Sequence, residues 1–265
     1  MAIWAFTRRI HMGLDLQKAS ISKRLAAFMI DFFIFILLFA LIASLFSWIF
    51  QYSASIKDFS EFYKKYEEKY NIDTNISPEE YEKLPEETKQ RYEAATKELE
   101  ENMDEVIALY LEVATKTFLV IAVSMFFSFI ITELAVPLFL KNGQTVGKKL
   151  FAIGVMRVDN VRVSHFQMFV RAIVGKFLIE SLIPVMLIIL EFFGVLGGIG
   201  YLVVLLYVAV HVIMFFVTKN KYALHDALAV TVAVDMQTQM IFDSEEELVA
   251  YKARLHEEEA MRSSY

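Results

Sequence analysis

Cysteine is absent from the 265 residues, which excludes disulfides, thiolate metal centres and thiol nucleophiles. Proline and glycine are sparse, at four and nine residues, so the chain has few of the breakers that punctuate loop-rich folds. There is no basic excess. The net charge is −6, and nucleic acid is not expected as a partner. Also missing are a His-Glu-x-x-His pair, a Gly-x-Ser-x-Gly elbow and a dinucleotide-binding glycine pattern, so neither catalysis nor a cofactor is expected. A metal site built from acids and His211 is the alternative that carboxylate and imidazole chemistry leaves open.

What fills the chain instead is apolar: 57% of residues are hydrophobic and the mean hydropathy is +0.46. This suits burial in a bilayer. The fold class expected is an all-α membrane protein, a four-helix transmembrane bundle with an extramembrane helical hairpin arm and a small cytoplasmic β-hairpin. Residues 25–50 are apolar apart from Asp31 and two serines and exceed the roughly 20 residues that a spanning helix needs. They follow Lys23 and Arg24 without a small-residue cleavage pattern, as a retained anchor would. Residues 113–140 hold a second span, bracketed by Lys116 and Lys141. Residues 171–195 hold a third, with a kink at Pro184, and 199–217 a fourth after a turn at Gly194, Gly197 and Gly198. The third carries Lys176, Glu180 and Glu191, so a re-entrant helix is the alternative there.

Basic residues set the expected orientation. Arg8, Arg9, Lys18, Lys23 and Arg24 lie in segment 1–24, and Lys141, Lys148, Lys149, Arg157, Arg162 and Arg171 lie in or beside loop 141–170. Both stretches are expected in the cytoplasm of an inner-membrane protein, as is the tail 218–265. Loop 51–112 holds eight Lys or Arg against seventeen Asp or Glu and is expected outside.

That loop reads as helical. Ser77, Pro78 and Glu80 form a capping-box start. Tyr92, Ala95, Leu99, Met103, Val106 and Tyr110 recur at spacings of three and four, as do Phe59, Phe62, Tyr63, Tyr66 and Tyr70. Spans one and two are expected to continue outward and pack along this seam. The arm could be a stalk, a docking site for an envelope protein partner, or a homo-oligomer contact. Phe151–Ser164 alternates around Asp159 and Asn160 as a β-hairpin would, with Ala229–Asp235 as a further strand. Ser244 and Glu247 open an amphipathic tail helix.

Four titratable groups fall inside the spans. Asp31, Glu133, Glu180 and His211 each lie seven to nine residues in from a basic boundary, a depth of roughly 10–14 Å at helical rise. A charge there costs a few kcal/mol unless paired or neutral. The acids are expected to face His211 as a site for a small cation or for protons. Interhelical hydrogen-bond glue is the plain alternative.

Three segments together resemble the RDD family of membrane proteins: Lys23–Asp31, Asn142–Lys149 with its Gly143, Thr145, Gly147 and Lys148, and Leu224-His225-Asp226. The family's arginine and two aspartates map by position to Arg24, Asp31 and Asp226, and Arg171 falls within the likeness. Asn160 stands where the family usually shows glycine, and the acidic arm looks like an insertion. The resemblance implies transport of ligands not yet identified, some members being regarded as sodium/proton antiporters. It also implies that Asp226 meets Arg24 or Arg171, as a clasp joining the last span to the first. Gly143–Lys149 is read as a tight turn and not a phosphate loop, with Lys148 and Lys149 meeting the anionic headgroups of the lipid bilayer.

Overall fold

A computed structural model describes residues 15–140, 142–217 and 223–263. Arg8, Arg9 and Lys141, used above to set orientation, and Lys219, the boundary from which the depth of His211 is counted, lie outside them. The elements in chain order are α1 (Ile21–Ile49), α2 (Tyr52–Tyr70), α3 (Pro78–Glu82), α4 (Glu86–Glu101) and α5 (Met103–Phe129), then a π-helical stretch π1 (Ile130–Ala135) and α6 (Val136–Leu140). After these come α7 (Val146–Leu150), β1 (Ile153–Arg157), α8 (His165–Phe169), a second π-helical stretch π2 (Val170–Leu182), α9 (Ile183–Phe192), α10 (Ile199–Val217), α11 (Leu224–Ala229), β2 (Thr231–Asp235) and α12 (Glu245–Ser263).

Among the described residues, three continuous helices are long and apolar enough to cross a membrane: Ile21–Ile49, Met103–Leu140 and His165–Phe192. The apolar helix α10 is shorter. Only 6% of the most apolar stretch of α1 is buried within the protein, and Leu25, Phe33 and Leu41 stand exposed. Such a surface is stable only where acyl chains cover it.

Both π stretches stop two residues before a proline, Pro137 and Pro184. Proline has no N–H and its ring strikes the carbonyl four residues back, so a straight α-helix cannot run through it. The wider winding absorbs the conflict. Val136 N–H reaches Ile131 O, and Ile183 N–H reaches Leu178 O, each a span of five residues. Where a kink was expected at Pro184, the helix is over-wide up to Leu182, two residues before the proline.

The chain divides into two compact units. One takes the described residues up to Ala40 and from Met125 onward. Its extramembrane core is a two-stranded antiparallel sheet in which Val155 faces Ala233, with Val155, Met156, Val232 and Val234 fully buried. The sheet corrects the expected hairpin. The return after Asn160 makes only the bridge Met156–Arg162, because Val161 turns away to pair with Phe242 and Ser164 then caps α8. Residues 231–235, foreseen as an addition, are the main partner. Asn160 has φ +70°, the left-handed conformation that glycine takes freely and asparagine tolerates. The tail helix α12 lies on this unit through Leu248, packed with Val161 and Phe242.

The second unit is Leu41–Ser124. The capping box at Ser77 forms as read, and Phe62, Tyr66 and Ala95 are buried along the seam between α2 and α4. Asn102 donates to the Tyr66 hydroxyl at 3.1 Å. Span one does not run unbroken into the arm, contrary to expectation. The chain breaks at Gln51, which has φ +53°, whereas α5 runs without a break from Met103 to Phe129.

Candidate functional site: a chamber of buried charge

The site is built from the start of α1, α7, the two π stretches and α11. An α-helix turns about 100° per residue, so Glu180, nine positions after Arg171, would face the opposite way. Winding at about 82° per residue in a π-helix returns it to nearly the same face, with Lys176 between them. The helix that hands this face to the chamber is therefore the one that Pro184 forces wide.

Asp31, on α1, accepts hydrogen bonds from Thr145 Oγ1 and, at 2.7 Å, from Gly147 N–H. Its carboxylate caps the first turn of α7. Gly147 is obligatory in this contact, since a Cβ there would stand 2.2 Å from Ala27 O. Glu133 on π1 pairs with Lys176 on π2 at 2.5 Å. Asp226 on α11 accepts from Arg171 Nε at 3.0 Å, lies 2.9 Å from Arg171 Nη2 and accepts from Thr231 Oγ1 at 3.2 Å. Arg171 and Asp226 are both almost wholly buried. Burial alone would push the Asp226 carboxyl up, but Arg171, with His225 and Arg24 behind it, holds it well below the usual carboxylate range.

Glu180 accepts from His225 N–H at 2.8 Å and lies 2.8 Å from its Nδ1. His225 Nε2 stands 3.7 Å from Asp226. Burial lowers the His225 pKa despite these acids. Gly175 lets α11 approach, because a Cβ there would meet His225 Cβ at 2.6 Å. His211 donates from Nδ1 to Tyr207 O at 2.9 Å and turns Nε2 toward Glu180 at 4.0 Å.

The expected ring of three acids around His211 does not form: of the three, Glu180 alone lies beside it, while Asp31 and Glu133 are engaged elsewhere. The expectation rested on uniform helical rise, and depth along separate helices does not specify which way side chains point. The clasp on Asp226 is made by Arg171 of the third long helix, with Arg24 acting on the carboxylate through its field. Lys148, expected among lipid headgroups, is turned inward. Its Nζ is buried and has no hydrogen-bond partner among the described residues. Burial, reinforced by Lys176 and Arg171, brings its pKa down to about 7. Lys149 is exposed, as a headgroup contact would be.

Arg24, Asp31, Glu133, Lys148, Arg171, Lys176, His225 and Asp226 line one cavity of about 340 Å³, whose apolar side is formed by Ile21, Leu25, Phe28 and Ile153. Lys176, His225 and Gly175 were missed as site residues. The signal for the first was its place at spacings of five and four between Arg171 and Glu180, which suits a π-helix and no α-helix. Among the described residues, no group of three or more His, Asp or Glu side chains is placed to hold a metal ion.

The profile of the RDD family matches residues 18–230. No curated protein and no solved structure matches the chain.

Proposed function

The chain belongs to the RDD family, and on that premise we propose that it is a four-span inner-membrane protein that moves protons through its charged chamber. The observation that carries this is Lys148: an ammonium buried without a hydrogen-bond partner among the described residues, whose pKa is brought down to about 7. A group so placed takes and gives a proton near neutrality, and its charge state is felt by every ion pair around it. Those neighbours are Asp31 on α1, Glu133 on π1, Arg171 and Lys176 on π2, with Arg24, His225 and Asp226 along the same cavity. The carboxylates are each engaged by a donor or a cation, so a small metal cation would have to displace one of these. A proton need only exchange on Lys148.

The fourth span is α10. Tyr207 donates to Ile179 O at 2.8 Å, and Glu191 accepts from the N–H groups of Gly198 and Gly200 to close the turn from α9. The basic residues gathered around the sheet favour a cytoplasmic position for it and for both termini, with the acidic arm outside. In proteoliposomes the wild type is expected to dissipate an imposed pH gradient, Lys148→Met to lose at least about tenfold of that rate, and Lys149→Met to keep it. Wild-type flux no greater than that of empty liposomes overturns the reading.

A second role, as an accessory or self-associating subunit, is favoured by the arm's own buried seam, which makes Leu41–Ser124 a compact unit. Deleting 58–101 separates the two. Loss of cellular function with proton flux intact supports partner binding through residues 51–112.

A further inference from the structure

Four cations line the cavity, Arg24, Lys148, Arg171 and Lys176, against three carboxylates, Asp31, Glu133 and Asp226, an excess of one positive charge. Arg171 is spent on Asp226 and Lys176 on Glu133, while Asp31 is satisfied by Thr145 and Gly147. The Lys148 ammonium is left buried with no hydrogen-bond acceptor among the described residues. Buried polar groups are otherwise almost always partnered, and an unpaired ammonium is among the costliest exceptions. The cavity is also roomy, at about 340 Å³, enough for a small polyatomic anion and its waters.

One wall of that cavity is unlike the others. Ile21, Leu25 and Phe28 line it, and the same three side chains stand 43%, 59% and 58% exposed. A charged chamber thus borders the apolar surface of α1, and an amphiphile could place its charge inside with its chains over Leu25 and Phe28. From this geometry we infer that the chamber binds a phosphate-bearing anion, with Lys148 as its principal contact, presented by a lipid headgroup or as free phosphate. The identity of the bound anion rests on the reading of the chamber as a working site. The anion's binding needs no proton flux.

Binding draws a proton onto Lys148, because an anion beside the ammonium favours its charged form. With full-length protein in detergent at pH 8, titration with inorganic phosphate in buffers of differing ionisation enthalpy should reveal uptake of about one proton per phosphate bound. Chloride should give none. In nanodiscs, phosphatidylglycerol should raise the unfolding temperature over phosphatidylcholine alone. Lys148→Met should weaken phosphate binding at least about tenfold and abolish the proton uptake, Lys148→Arg should retain binding, and Lys149→Met should behave as wild type.

Phosphate binding without a lipid effect assigns a soluble source, and the reverse assigns the headgroup; both uphold the inference. No response to either probe, or an equal response in Lys148→Met, overturns it. Proton flux persisting in that case leaves the proposed function standing, whereas phosphate binding with no flux does the opposite.

Discussion

The Arg171–Asp226 pair, Gly147 and Lys148 each leave a distinct physical signature in the chamber. Arg171 and Asp226 form a pair out of reach of water, and removing one partner strands the other; Asp226→Ala should cost about 3–5 kcal/mol. The double change Arg171→Met with Asp226→Leu should recover much of that in detergent melts, because the desolvation cost of both charges disappears. Gly147→Ala is a steric test. Its Cβ would lie 2.2 Å from Ala27 O, so α7 must leave α1 and Asp31 loses both donors, an expected loss of about 3 kcal/mol or more. Lys148 gives a pH signature whose sign is set by its lowered pKa. Between about 7 and the ordinary 10.5 the unfolded chain holds a proton that the folded chain has released, so stability rises with pH across that window. Below about 7 the cost of burying the charge is fully present. Lys148→Met in phosphate-free detergent should therefore be more stable than wild type at pH 6, on the order of a few kcal/mol, and the gain should vanish towards pH 10.5.

The helices show what hydropathy can and cannot convey. Apolar runs made the long helices of the membrane unit legible, and the Ser77 and Ser244 caps marked helix starts within a residue, because both signals are local. The π winding is a compromise between proline geometry and packing, so Pro184 was read as a kink while its effect on the facing of Arg171, Lys176 and Glu180 was not. The pairing of β1 with β2 was only half legible, since the two strands lie more than seventy residues apart and the nearby Asp159-Asn160 turn imitates a hairpin. Asp31 was singled out correctly as a residue that needs a partner, yet its partners, Thr145 and Gly147, lay in a motif read as a separate turn. If Pro184 is what holds π2 wide, Pro184→Ala restores an N–H that can bond Glu180 O and draw the segment towards α-helical winding. Glu180 then swings off the chamber and His225 loses its acceptor. A cysteine pair placed at 176 and 133, possible because the chain has no native thiol, should be bridged by a bifunctional thiol reagent about as long as the Lys176–Glu133 pair it replaces, and at least several-fold less in the alanine variant.

At the scale of the whole chain, charge is sorted by unit. The arm is acidic, at eight basic against seventeen acidic residues over 51–112, and the sheet-bearing unit gathers Lys23, Lys148, Lys149, Arg157 and Arg162 outside its long helices or at their ends. Basic residues near span ends are retained on the cytoplasmic side during insertion, whereas a long loop such as 51–112 crosses largely regardless of its charge. Four spans make this sorting self-consistent, because they return the tail helix α12 to the side on which the chain began. Three spans would place the arm and the tail on the same side, with the N-terminal segment and the basic loop on the other. The two arrangements differ in the position of α12 relative to the arm, and single cysteines in the cysteine-free chain report it directly. Ala94→Cys on α4 and Ala253→Cys on α12 are both exposed sites. With a membrane-impermeant maleimide applied to spheroplasts, Ala94→Cys should label at once and Ala253→Cys only after the membrane is breached. Labelling of both from outside means that α10 does not cross, which removes the fourth span and the cytoplasmic placement of the C-terminus together.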